Sequence, residues 1–265
     1  MIRITVWNEN VHERGIDAID NFESLPRDIQ EHYQKCVAEI LEVHPFGIHN
    51  TLKALFNEEE DFEVRTATLD MPDCGLSQEV IDNTDVLVWW GHCAHDRVPY
   101  EVAHRVQEAV LKGMGFIALH SAHLSRPFLA LMGTSGTLQW REGDRARVWT
   151  VCPTHPIAAG IPQSFELPSE EMYCEYFDIP KPDDLVFISW FAGGEVFRSG
   201  CTWTRGLGKV FYFQPGHENQ RSYYVPEVRR ILKNAVRWAR PSLRREELSC
   251  PHAQVSAEER YANRS

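Results

Sequence analysis

The sequence has no apolar run approaching the roughly 20 residues that a membrane-spanning helix needs, so no membrane partner is expected. It has no C-x-x-C pair. Its seven cysteines are odd in number and irregularly spaced, which excludes a disulfide framework and points to a reducing compartment. Positive charge is in deficit, with 27 lysines and arginines against 38 aspartates and glutamates and a net charge of -11. That balance argues against a nucleic-acid backbone as ligand and leaves a neutral small molecule open. No repeat or low-complexity segment occurs, and 16 glycines and 15 prolines in 265 residues exclude a collagen-like chain. The opening residues lack a basic region followed by an apolar stretch, so no signal peptide is expected and the expected location is cytoplasmic. What is present is 43% apolar and 25% charged, enough for a large core.

Strand-like and helix-like runs alternate in the first half. Residues 2–7, 62–69, 85–90 and 115–120 have strand character, and 27–43, 48–56, 99–112 and 125–132 have helical spacing. The run 85–90 is apolar on both faces, as a buried parallel strand requires. Such alternation implies right-handed crossovers and a parallel sheet covered on both faces. The second half shows shorter strands near 137–152, 173–178, 185–190, 202–205 and 209–214, then a closing amphipathic helix over 225–239. The expected architecture is α/β, with a mostly parallel sheet, helices on both faces and extra antiparallel edge strands. Residues 1–240 form one domain in this reading, and 241–265 a polar tail.

Ligands of open α/β sheets bind beyond the carboxyl ends of the strands. His12, His92, His95, His120, His123 and His217 all fall just after predicted strands, and His49 opens the helix over 48–56. Imidazole suits both metal ligation and proton transfer near neutral pH. Any one of these histidines taken singly reads as a cap or turn residue; their convergence on one edge carries the signal. His155 reads as a loop histidine bonded to backbone, and His32, His44, His104 and His252 as surface. Leu119-His120-Ser121-Ala122 has the strand-turn-helix pattern of a nucleophile elbow, with His120 at its apex. No G-x-S-x-G accompanies it, so Ser121 is read as a helix cap. Glu170 and Glu171, ahead of the strand expected at 173–178, are the most suggestive carboxylates. Trp7, Trp89, Trp90, Trp190 and Trp203 lie at or near strand ends, where a ring either stacks on a sugar or fills the core.

These segments resemble the ThuA-like family, named for trehalose utilisation, of the class I glutamine amidotransferase-like superfamily. The resemblance rests on Val6-Trp7-Asn8-Glu9-Asn10 with His12-Glu13, on Phe46-Gly47-Ile48-His49, on 85–92, and on 115–122. It continues through His155-Pro156-Ile157, Glu170-Glu171-Met172-Tyr173, 208–217 and Asn234-Ala235-Val236-Arg237-Trp238, covering about residues 1–240. It implies a flavodoxin-like sheet of the amidotransferase type. Amidotransferases carry a cysteine at the elbow where this chain has His120, so no glutamyl thioester forms and glutamine hydrolysis is not expected.

The resulting expectation is an enzyme of carbohydrate use, acting on trehalose-like sugars or their keto derivatives as a metal-assisted hydrolase, lyase or isomerase. Its divalent metal, zinc by preference, is expected among His49, His92, His120 and His217, with His120, Glu171 and His217 as catalytic residues. Trp7, Asn8, Trp90 and Tyr173 are the expected sugar-binding side chains. A homo-oligomer is expected on base rates. The alternative is a non-catalytic sugar-binding or regulatory module.

Overall fold

The computed structural model describes residues 1–15, 22–250 and 252–262. In chain order, β1 (Ile2–Asn8) leads through α1 (Val11–Arg14), α2 (Arg27–Val43) and α3 (Ile48–Phe56) to β2 (Phe62–Thr68). Then follow α4 (Gln78–Asp82), β3 (Val86–Trp90), α5 (Tyr100–Lys112), β4 (Gly115–Leu119) and α6 (Arg126–Met132). β5 (Gln139–Thr150), β6 (Ser164–Cys174), β7 (Asp184–Phe191), β8 (Val196–Arg205) and β9 (Gly208–Phe213) precede α7 (Pro226–Ala239) and a short α8 (Ala257–Ala262).

All nine strands join one sheet in the order β2-β1-β3-β4-β9-β8-β7-β5-β6. The pairings from β2 to β9 are parallel, and those from β9 to β6 antiparallel. Every residue of β3 and β4 is buried, because helices cover both faces there. Trp7 and Trp89 stack across β1 and β3 with ring centroids 3.8 Å apart. In α7, Val228, Ile231, Leu232, Ala235 and Val236 recur at helical spacing and are buried, and Pro226 suits its first turn. α7 lies so close to β4 that a Cβ on Gly115 would sit 2.4 Å from the Ala239 carbonyl oxygen. The fold is thus the expected α/β class, with the antiparallel strands forming a four-strand wing rather than a mere edge.

Three local expectations are corrected. The strand expected at 173–178 is β6, which ends at Cys174, so Glu170 and Glu171 lie inside a strand rather than ahead of one. Pro168 masked it in the sequence, yet β6 is the last strand of the sheet, where a missing N–H is tolerated. His44, read as surface, is fully buried. Ser125, not Ser121, caps α6, its hydroxyl accepting from the Phe128 amide. Beyond Pro241 the chain crosses the amino edge of the sheet, where the Arg245 amide donates to the Lys112 carbonyl. Residues 251 and 263–265 of the polar tail lie outside the described residues. No helix among the described residues is long and apolar enough to cross a membrane.

Candidate functional site

Because β2 and β3 flank β1, the sheet changes direction at β1 and β3, and the crevice at their carboxyl ends is the switch point at which such folds bind ligands. His92 follows β3, His120 follows β4 and His217 follows β9. Neighbouring strands in register therefore bring three imidazoles from distant parts of the chain to one edge. Their ring centroids are 5.2 to 5.5 Å apart. Glu171, on β6, reaches the same point from the antiparallel wing. One ligand atom from each of His92, His120, His217 and Glu171 lies within 4.8 Å of all the others.

Each imidazole has its Nδ1 committed. His120 Nδ1 donates to the Gln214 carbonyl at 3.0 Å. His92 Nδ1 donates to the Glu218 carboxylate, 3.0 Å from Oε2. His217 Nδ1 donates to Asn219 Oδ1 at 2.7 Å, an oxygen that also accepts from Gln220 Nε2. A carbonyl or carboxylate can only accept, so Nδ1 carries a proton in all three rings, and Nε2 is the atom a cation would meet, in exchange for any proton it holds. This is the outer arrangement that orients metal-binding histidines.

Glu171 faces His120 with Oε2 3.0 Å from Nε2, two acceptors in contact. Oε2 is buried and receives no hydrogen bond among the described residues. A second proton or a cation must lie between them, because an ionised oxygen left unpaired in the interior is costly. Burial would raise the Glu171 carboxyl, but the His120 contact and the charges of His120, His217 and His92 outweigh it and hold it below the usual range. Burial likewise opposes the charged form of His92, and its bond to Glu218 with the charges of Glu218, Glu171 and Glu9 overcomes this, raising it to about 9.

His120 has φ +53°, a left-handed conformation that costs a non-glycine residue about 1–2 kcal/mol. The elbow expected from sequence is therefore present in its backbone. Its apex is not open to solvent, because the Tyr173 ring stacks on His120 at 5.2 Å. The Tyr173 hydroxyl lies 2.6 Å from Ser121 Oγ and 3.3 Å from His120 Nε2. Ser121 is tied down there and has no imidazole partner among the described residues, which argues against it as a nucleophile.

Glu170 and Glu171 divide their tasks. Glu170 is fully buried, and its carboxylate accepts from the amides of Gly216, His217 and Glu171 and from the Ser222 hydroxyl. It fixes the turn that presents His217. Gly216 has φ +131°, and a Cβ there would strike the Tyr223 hydroxyl at 2.1 Å, so only glycine fits that turn.

The other expected site residues lie elsewhere. His49 is apart from the four-residue group, its Nδ1 3.1 Å from Asn8 Nδ2 and its Nε2 3.0 Å from Asn50 Nδ2, so both ring nitrogens face asparagine amides rather than that group. Trp7 is 1% exposed and donates to the Cys74 carbonyl. Asn8 is buried against Glu13 and His49. Neither can meet a sugar, because β1 is central and covered on both faces. Trp90 is also buried, donating to the Gly216 carbonyl, and forms the floor beneath the site. Tyr173 is buried but touches His120.

Three further side chains complete the edge. Glu9, directly after β1, accepts from the amides of Cys93 and Ala94. Glu218 is held well below the usual carboxylate range, its bond to His92 and the charges of His217, His92 and His12 overcoming burial. His12 lies between them, 3.7 Å from Glu9 and 3.5 Å from Glu218. Glu9 was legible only as an acidic residue ending a buried strand at the switch crevice. Cys93 is exposed, but partial desolvation of its thiol and the charge of Glu9 push it up to about 12, which disfavours the thiolate. The group opens into a cleft of about 540 Å³ lined also by Tyr33 and Trp140. A larger hollow, about 960 Å³, lies at the opposite sheet edge among Arg3, Asp85 and Arg237 and contains no histidine.

The fold and site define a doubly wound α/β protein with a histidine at the elbow that follows β4. A family model described as ThuA, trehalose utilisation, matches residues 3–239, and the chain belongs to that family. No curated protein matches it. A ThuA-like protein from Parabacteroides merdae has a similar structure, with a TM-score of 0.61 and 15% identity over 93% of this chain and 92% of that one. A ThuA-like protein from Bacteroides uniformis gives a TM-score of 0.54 and 14% identity over 89% and 90%. A Salmonella typhimurium protein described as cytoplasmic gives 0.51 and 12% over 72% and 87%. At these identities the likeness concerns the fold. Family membership adds a role in sugar utilisation.

Proposed function

We propose that the protein is a carbohydrate-utilisation enzyme acting on a trehalose-like sugar or its keto derivative, with a divalent cation held by His92, His120, His217 and Glu171. The observation that carries this reading is the set of three Nε2 atoms, each ring fixed by a bond at Nδ1, gathered around a buried Glu171 oxygen that receives no hydrogen bond among the described residues. Three imidazoles and one carboxylate suit zinc, and a water or substrate oxygen could complete its coordination. When bound there, such an ion polarises a carbonyl or hydroxyl oxygen or acidifies a bound water.

The chain's own residues supply the rest. Glu218 and the Gln214 carbonyl orient two of the imidazoles, and Glu170 sets the position of the third. Tyr173 covers His120 and excludes water from it. His12, outside the four-residue set and open to the cleft, is the imidazole available to move a proton, with Glu171 as the other candidate. Hydrolysis, elimination and isomerisation all use these parts. A cytoplasmic homo-oligomer without membrane or nucleic-acid partners belongs to the same reading; the acidic charge supports the absence of a nucleic-acid partner, and the label on the Salmonella neighbour supports the location.

The test is turnover of trehalose and keto-trehalose by protein as purified, after chelation, and after zinc is returned. Loss on chelation and recovery with zinc is expected. Sugar binding without turnover, unchanged by chelation and by His120→Ala, would instead identify a binding module.

A further inference from the structure

The amino edge of the sheet, opposite the histidines, gathers positive charge. A hollow of about 960 Å³ lies there between the starts of β1 and β9, the end of α7 and the segment 240–244. A smaller one, about 510 Å³, adjoins it along α7, with Asn234 and Arg237 in both walls. Five lysines and arginines line the larger hollow against Asp61 and Asp85, and three more line the smaller against Glu59. The chain as a whole carries a net charge of -11, so this concentration runs against its composition. Like charges held together repel unless carboxylates or a ligand offset them.

Carboxylates offset only part of it. Arg237 pairs with Asp61 and Glu59, and Arg229 and Lys233 pair with Glu58. Arg3 and Arg244 share the single carboxylate of Asp85, at 2.8 and 3.3 Å. Partial burial lowers the Arg244 guanidinium from its ordinary value, and the charge of Arg3 adds to this against the pull of Asp85 and Asp82. Glu63 and Asp82 act on Arg3 and Arg244 from outside the walls, and pair with none of the other cations among the described residues. Lys209, Arg230 and Arg240 form no ion pair among the described residues. Lys209 and Arg230 donate instead to the carbonyls of Trp238 and Gly160, at 2.9 and 3.2 Å, and Arg240 is exposed.

A guanidinium fork fits the paired oxygens of a phosphate, and an ammonium meets them as a point charge. One phosphate satisfies one or two such groups, so their number calls for an anion with at least two. A hollow of about 960 Å³ has the size that takes a small molecule. A nucleic acid or an acidic protein would also meet the negative field of the remaining surface, which a small anion seated in the hollow largely escapes. We propose that the amino edge binds a small anion bearing two or more phosphate groups, held by Lys209, Arg240 and the Arg3–Arg244 pair. The site shares no lining residue with the histidine cleft, and the proposal stands apart from the carbohydrate reading.

The test is calorimetric titration with inorganic pyrophosphate and with orthophosphate, metal content being measured on each preparation. The proteins are wild type, Lys209→Gln with Arg240→Gln, Arg240→Lys, and His120→Ala with His217→Ala. Wild type is expected to bind pyrophosphate, and orthophosphate about tenfold more weakly. The paired glutamine variant should bind pyrophosphate about tenfold more weakly than wild type, with unchanged metal content, and Arg240→Lys within about threefold of wild type. Arg240→Glu alone, at an exposed position, should also weaken it by about tenfold and serves if the paired variant does not fold. The paired alanine variant of the histidines should bind pyrophosphate as wild type does. No binding to wild type, or equal binding to the paired glutamine variant and Arg240→Glu, would overturn the proposal. Loss of binding in the histidine variant would place pyrophosphate at the carboxyl edge and overturn it as well. Equal affinity for the two anions would overturn the requirement for two phosphate groups.

Discussion

The two halves of the sheet contribute to the site in different ways. The parallel half, apart from its edge strand β2, is buried on both faces, and its chemistry appears only where strands end, at Glu9, His92, His120 and His217. The antiparallel wing has a more open surface, and its chemistry lies within strands, with Glu171 and Tyr173 inside β6 and Trp140 inside β5. A strand covered on both faces can offer a ligand nothing but its end, whereas an edge strand can turn a side chain toward the crevice anywhere along its length. The parallel half thus fixes three imidazoles, and the wing lowers a carboxylate and an aromatic onto them.

The largest test of this division removes ligands from each side. His120→Ala combined with His217→Ala should abolish stoichiometric metal binding, and Glu171→Gln should weaken it more than about a hundredfold, both read by elemental analysis after dialysis against competing chelator. Full retention in Glu171→Gln would separate the wing from the site. Stability should divide in the same way. Trp89→Ala, in the covered half, should cost about 3–5 kcal/mol in urea unfolding, and Trp190→Ala, 39% exposed in the wing, less than about 1 kcal/mol. Similar losses at the two positions would deny that the halves differ in burial energetics.

A histidine outside the edge sharpens the contrast. Burial pushes His44 down from 6.5 to about 4. Between those values the unfolded chain takes up a proton that the folded one refuses, so stability should fall as pH drops from 6.5 to 4, by up to about 3 kcal/mol. His44→Gln should flatten that slope while leaving metal content unchanged; an unaltered slope would remove His44 from the account. Glu170→Gln comes next, at about 1–3 kcal/mol, because it turns an amide N–H₂ toward donors that a carboxylate had satisfied. Its metal affinity should fall by about 10- to 100-fold through the displaced His217. Loss of stability with metal affinity intact would show that Glu170 supports only the fold.

The same division explains what the sequence disclosed. β3 and β4 were legible because two-sided burial writes a continuous apolar run, and the histidines that end them stood out for that reason. α2 and α3 were legible to the residue from their spacing. The wing was blurred by partly exposed strands, by Pro168 in β6 and by register shifts between β5 and β6. Trp7 and Asn8 were misjudged as sugar contacts because an aromatic or amide at a strand end looks alike whether the strand is central or at an edge. His49 was grouped with the metal ligands by its residue type, its place at the start of the helix and the family resemblance, and its contacts with Asn8 and Asn50 depend on a packing of α3 that spacing does not reveal. Trp140 could be singled out only once β5 lay beside β6.

The most direct measurement is X-ray absorption at the zinc edge of the reconstituted protein. His92, His120, His217 and Glu171 together predict a first shell of nitrogen and oxygen only, at about 2.0–2.1 Å, with strong imidazole scattering and no sulfur. A sulfur neighbour at about 2.3 Å would place the ion instead with Glu9, His12 and Cys93, a nearby group that includes a thiol, and would contradict the account.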